Sequence, residues 1–230
     1  MKQIIFALLF SIASFGQDTL DVIKKVDNVY YGQNFLKFDA SYKLFKMKSS
    51  KSPTETYQSK FMKNVDNVFH ISNKNMVSIE SDKYIFQLDM ANKIAALANS
   101  NVKQLSSVFK IQEVSKYGKI TEFKKTNTGW YFCFNVSSKV NIMYNKIEIY
   151  VNSNYTIQKE ILHLRQAVDF SKDYRKSDLK LPILEITFSN YSFEKINESI
   201  FNLSNYFTID KKNVCVLKDK YKEYKLNDLR

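Results

Sequence analysis

Between Leu36 and Leu44 the chain alternates without a break. Leu36, Phe38, Ala40, Tyr42 and Leu44 are apolar, and Lys37, Asp39, Ser41 and Lys43 between them are polar. A two-residue period sends successive side chains to opposite faces, so this is a long strand with one face to bury. The same pattern returns in short pieces at roughly 55–63, 67–72, 76–81, 84–89 and 93–98. The breaks fall at Asn64-Val65-Asp66, Asn73-Lys74-Asn75, Asp82-Lys83 and Met90-Ala91-Asn92. Such short connections predict a meander of sequential antiparallel neighbours. With four glycines in 230 residues, Asn and Asp must serve in turns where glycine is usual.

A second set of strands follows. Asn127-Thr128-Gly129 leads into Trp130, Phe132, Phe134 and Val136, with Tyr131, Cys133 and Asn135 on the other face. Ile147, Ile149 and Val151 alternate with Lys146, Glu148 and Tyr150, and Leu184, Ile186 and Phe188 alternate with Glu185, Thr187 and Ser189. Residues 156–170 read as one long strand whose register breaks after Ile161-Leu162, as at a bulge. Helical spacing occurs over 18–31, through Val22, Ile23, Val26, Val29 and Tyr30 with Gly32 as the stop, and over 101–116. The expected class is therefore α+β and β-rich, with about ten antiparallel strands and two or three helices. Two helices cannot cover so large a sheet laid flat. Curling it into an incomplete, half barrel with the helices on its concave face solves this, and a sandwich would do so almost as well.

The first sixteen residues read as a cleavable secretory signal. Lys2 precedes the apolar run Ile4–Phe10, and Ser14 and Gly16 supply the small residues for a cut before Gln17. The apolar stretch ends near Phe15, short of the about 18–20 residues a membrane crossing needs. Residues 17–230 are then expected to form one exported domain, with a C-terminal extension over about 194–230. The formal charge of +12 comes from lysines spread along the strands, among them Lys37, Lys43, Lys63, Lys83, Lys146 and Lys159. Scattered lysines read as a solvated exterior and not as a nucleic-acid groove, although a basic rim suits anionic membrane surfaces. In an oxidising compartment Cys133 and Cys215 could pair, or be two buried thiols.

Chemistry has little support. His70 and His163 each sit singly on a strand, with no metal-ligand spacing around them. No Gly-rich phosphate loop or nucleophile elbow is present. The expectation is no catalytic residue, no metal and no cofactor. The surplus of aromatic residues, 18 Phe and 15 Tyr with Trp130, is divided between core packing and the lining of a hydrophobic cavity.

The order of elements resembles the LolA-like superfamily of periplasmic outer-membrane lipoprotein carriers. The segments that carry the resemblance are the N-terminal helix, the strand Phe35–Met47, and the run Ser81-Asp82-Lys83-Tyr84-Ile85-Phe86 with Asp89-Met90-Ala91-Asn92-Lys93. Lys146–Val151, Tyr155–Leu164 and Leu184–Phe193 are similar to that family's later strands. Lys83 stands where the family pattern has a glycine after Asp, and the early strands hold no arginine, since the three are Arg165, Arg175 and Arg230. The resemblance implies a periplasmic, non-catalytic carrier of lipid or lipoprotein acyl chains. Its expected lining is Leu36, Phe38, Tyr42, Trp130, Phe132, Phe134, Ile147, Ile149, Leu184, Ile186 and Phe188. The other reading is a secreted or envelope-associated interaction or structural protein, with a filled core and a protein partner. Neither reading fixes an oligomeric state.

Overall fold

The computed structural model describes residues 18–100 and 111–230; the signal-peptide reading and most of the helix read over 101–116 lie outside the described residues. The first described element, α1, is a helix over residues 18–31, ending where the Gly32 N–H donates to the Asn28 carbonyl at 2.8 Å. A Cβ at Gly32 would collide with Asn28, so the stop read from the sequence is sterically fixed.

Six strands follow: β1 (Leu36–Phe45), β2 (Glu55–Lys63), β3 (Phe69–Ser72), β4 (Met76–Glu80), β5 (Tyr84–Asp89) and β6 (Ile94–Asn99). After α2 (Ile111–Tyr117) come β7 (Gly118–Thr126), β8 (Gly129–Val136), β9 (Tyr144–Asn152), β10 (Ile157–Leu164), β11 (Val168–Asp169), β12 (Leu179–Lys180) and β13 (Ile183–Ser192). Residues beyond about 194 hold three single 3-10 turns, the small hairpin β14 (Phe207–Ile209) and β15 (Cys215–Leu217), and β16 (Lys225–Asp228). Twelve of these strands form one sheet in the order β16-β6-β5-β4-β3-β2-β1-β13-β10-β9-β8-β7. The order is open, with β16 and β7 at its edges. The β-rich class and the large open sheet expected from the alternation are both present. β16 departs from the antiparallel rule and pairs parallel with β6, Lys225 opposite Ile94.

The strand read over 156–170 stops at Leu164, and its irregularities lie at Ile157/Lys159 and His163/Leu164. Arg165 follows the stop. Its guanidinium donates to the carbonyls of Ser137, Ser138, Val140 and Tyr144 at 2.9–3.3 Å, tying down the loop before β9.

Turn chemistry follows the Asn and Asp punctuation closely. The Asn64 side chain accepts from the N–H groups of Asp66 and Val68, and that of Asn73 from Asn75 and Met76. Asn67, Asn190 and Asn213 take the left-handed backbone (φ 55–62) that a glycine would otherwise supply. At the turn carrying Lys83, Ser81 Oγ accepts from Lys83 N and Tyr84 N. A serine-capped turn needs no positive φ, which removes the demand for glycine.

The chain divides into two compact units. The first comprises residues up to Gly32, Tyr42–Thr56 and Lys110–Thr187, and the second Gln33–Ser41, Tyr57–Phe109 and Phe188–Arg230. In the second, Phe38 stacks on Phe61 at 4.6 Å and meets Phe188 edge-on at 5.6 Å. Also in this unit, Phe86, Leu88, Ala95 and Leu97 are buried against Phe207, Cys215 and Tyr221 of the C-terminal segment.

Candidate functional site

Register sorts the side chains of the first unit into two faces. Residues directly paired across strands share a face, so one face carries three rows. Phe134, Ile147, Leu162 and Leu184 make the first, Phe132, Ile149, Glu160 and Ile186 the second, and Trp130 and Val151 the third. Eight of the eleven side chains expected to line a cavity belong to this unit: Tyr42, Trp130, Phe132, Phe134, Ile147, Ile149, Leu184 and Ile186. Seven of the eight are in these rows. The other three, Leu36, Phe38 and Phe188, are buried in the second unit.

Phe132, Phe134, Ile147, Ile149 and Ile186 are buried, whereas Tyr42, Trp130 and Leu184 are half-buried. Helix α1 belongs to this face. Its Val22, Ile23, Val26 and Tyr30 are buried, the Tyr30 hydroxyl accepts from the Ile157 N–H at 3.0 Å, and Lys25 lies over the Tyr155 ring that stacks on Trp130. The N–H of Ile111 on α2 donates to Asp27 of α1 at 3.2 Å, joining the two helices.

Glu160 is the exception on this apolar face. It is 5 % exposed, is flanked by Ile149 and Ile186, and has no hydrogen-bond partner among the described residues. Burial alone raises its carboxyl to a pKa of about 8. Its charge is felt at Tyr144, where burial first and then Glu160 push the phenol up.

The opposite face is built around another carboxylate. Glu148 Oε1 is 2.8 Å from Lys146 Nζ and 2.7 Å from His163 Nε2, and Glu148 Oε2 accepts from the Tyr131 hydroxyl at 2.8 Å. Burial works to raise this carboxyl, but the bonds from Lys146, Tyr131 and His163 outweigh it and hold the pKa at about 2. Tyr131 responds inversely, pushed well above the ordinary phenol range by burial and by the carboxylate. Beside this cluster is a half-open groove of about 430 Å³. Its floor is Glu148, Tyr150, Ile161, His163, Ile183 and Glu185, and Phe45, Met47, Lys48 and Ser50 form one wall.

The sequence reading missed this cluster. His163, read as an ordinary strand histidine, is one of its members. Each partner looks isolated along the chain, and only the register of β8, β9 and β10 brings them together. Cys133 and Cys215 are both free and buried. Among the described residues no cluster of His, Cys, Asp and Glu could hold a metal ion, and no helix is long and apolar enough to cross a membrane.

No protein-family model matches the sequence, and no curated protein matches it. Among solved structures the chain is similar to a LolA superfamily protein from Nitrosomonas europaea, at 8% identity and a TM-score of 0.41, covering 80% of this chain and 97% of that one. It is also similar to an uncharacterized conserved protein from Thermus thermophilus, at 7% identity and a TM-score of 0.49, covering 92% and 99%. A candidate outer membrane lipoprotein-sorting domain from Vibrio parahaemolyticus is similar at 12% identity and a TM-score of 0.37, covering 80% and 96%.

Proposed function

We propose that this chain is an exported, non-catalytic binding protein of carrier type for a hydrophobic ligand, with lipid or lipoprotein acyl chains as the ligand class. The observation that carries this reading is the apolar face of β8, β9, β10 and β13, on which helix α1 packs among the described residues. Four strands at about 4.8 Å spacing span a width near 19 Å, whereas a helix with its side chains is about 10 Å across. One polar tie between this cover and the sheet is the Tyr30–Ile157 bond. Moving the cover aside exposes a continuous apolar surface of the sort acyl chains occupy, with affinity drawn from buried area at roughly 25 cal/mol per Å² before ordering costs. The family resemblance of the sequence points the same way. The leader, cut before Gln17, would deliver residues 17–230 to the periplasm.

The test is mass spectrometry of the protein purified from its native envelope or periplasmic fraction. Co-purified acylated molecules, together with an N-terminus at Gln17, are the expected result. Protein that is free of lipid, takes up no acyl chain in vitro and recovers a protein partner would replace this reading with the interaction-protein one. What favours that second reading is the full burial of Phe132 and Phe134 in the first unit and of Phe38 in the second.

A further inference from the structure

Most polar side chains buried in this unit are provided for: Glu148 has three partners, and Asn152 and Asn154 bond Thr156. Glu160 is not. It stands in the middle row of the apolar face, between Ile149 and Ile186 and beyond them Phe132, with no donor aimed at it among the described residues. A side chain that served packing alone would be apolar there, because a carboxyl without a partner is costly wherever water is excluded.

Resting on the carrier reading above, we infer that Glu160 is the polar anchor of the ligand site, and that the ligand class is an acylated molecule whose ester or amide carbonyl the Glu160 carboxyl engages. The carboxyl is held largely in its neutral form at neutral pH, since burial raises it to about 8. A neutral carboxyl has one O–H to donate, and a carbonyl needs one donor. The surroundings are mostly apolar. On this face β8, β9 and β13 present Phe132, Phe134, Ile147, Ile149, Val151, Leu184 and Ile186. Helix α1 brings Tyr30 and Asp27, which accept from the backbone N–H groups of Ile157 and Ile111. Tyr144 is the titratable neighbour whose phenol senses Glu160. A bound acyl chain that displaces the helical cover would therefore meet the Glu160 carboxyl in the middle row of a mostly apolar floor, which fixes how deep its carbonyl sits.

The experiment compares a diester glycerolipid with eight-carbon chains against its diether analogue, which has the same chains and no carbonyl, with octylamine as a third probe. Binding to the full exported chain is followed by calorimetry and by Trp130 fluorescence. The wild type is expected to prefer the ester about tenfold over the ether, and to lose that preference as pH rises through about 8, where the donor proton leaves. Glu160→Gln keeps an N–H donor and should retain the preference without its pH dependence. Glu160→Leu should bind both lipids equally. Equal binding of ester and ether by the wild type overturns the anchor, and so does a preference surviving in Glu160→Leu. Octylamine binding that strengthens with pH through Glu160 also overturns it, by assigning the carboxylate a cation instead. A wild type that binds none of the three probes sinks the carrier reading itself, so the two failures are distinguishable.

Discussion

Glu148 and Glu160 stand on adjacent strands of one sheet, 12 residues apart in sequence, and face opposite ways. The first is met by a lysine, a histidine and a tyrosine and is held ionised, its pKa lowered to about 2. The second meets Ile149 and Ile186 and is pushed to about 8. Both are nearly buried, at 8 % and 5 % exposure, so burial does not separate them. What separates them is the supply of donors. A carboxyl with three donors is a structural hub, and one flanked by apolar side chains holds its proton.

The sharpest way to break this contrast is Glu160→Leu. Because the folded pKa of Glu160 is raised, the folded state holds its proton more tightly than the unfolded chain does. Its contribution to stability is therefore greatest below about pH 4.5, the ordinary value, and falls as pH rises to about 8. The leucine variant should be more stable than wild type by roughly 4 kcal/mol at pH 8 and by little at pH 4, measured by urea unfolding at both values. An unchanged difference across that range would show that Glu160 is not buried unpaired. Glu148→Gln should act in the opposite sense and somewhat less, destabilising by about 2 kcal/mol at pH 7, because Lys146 and His163 lose their shared carboxylate.

The acid limb sharpens the comparison further. The Glu148 pKa is depressed, so its stabilisation is present above about pH 4.5 and is lost as pH falls through about 2. Thermal scans from pH 5 to 2 should show a steeper loss of Tm in wild type than in Glu148→Gln. The smallest effect belongs to Lys159→Met at the margin of the same face. Lys159 lies over the Tyr150 ring at 4.7 Å and 3.9 Å from Glu185, and its removal should cost less than about 0.5 kcal/mol. A larger loss would mean that the polar face is stabilised by its rim as much as by Glu148.

The alternation over Leu36–Leu44 and 146–151 was enough to read the strands, because a two-residue period is written in consecutive residues. The turns at Asn64 and Asn73 were legible for the same reason: the capping side chain and the N–H it serves are at most four residues apart. The contrast between the two carboxylates was not legible. It depends on which residue of β8 faces which residue of β9 and β10, and the irregularity at Ile157/Lys159 changes that register by a step no local pattern announces. Glu160 in particular looks like one more charged residue beside Lys159. Only cross-strand pairing with Ile149 and Ile186 puts it on the apolar side.

The way the two units are threaded has a consequence for biogenesis. Each is assembled from three separate stretches of chain, and the second needs residues 188–230 before its Phe86–Leu97 face is covered and β6 receives its parallel neighbour. A polypeptide that emerges from its N-terminus can form the β2–β6 meander early, but neither unit closes until well past residue 150. Such non-local closure is slow. Under the export proposed above that delay would be useful, since a translocating polypeptide must stay unfolded until most of it has crossed.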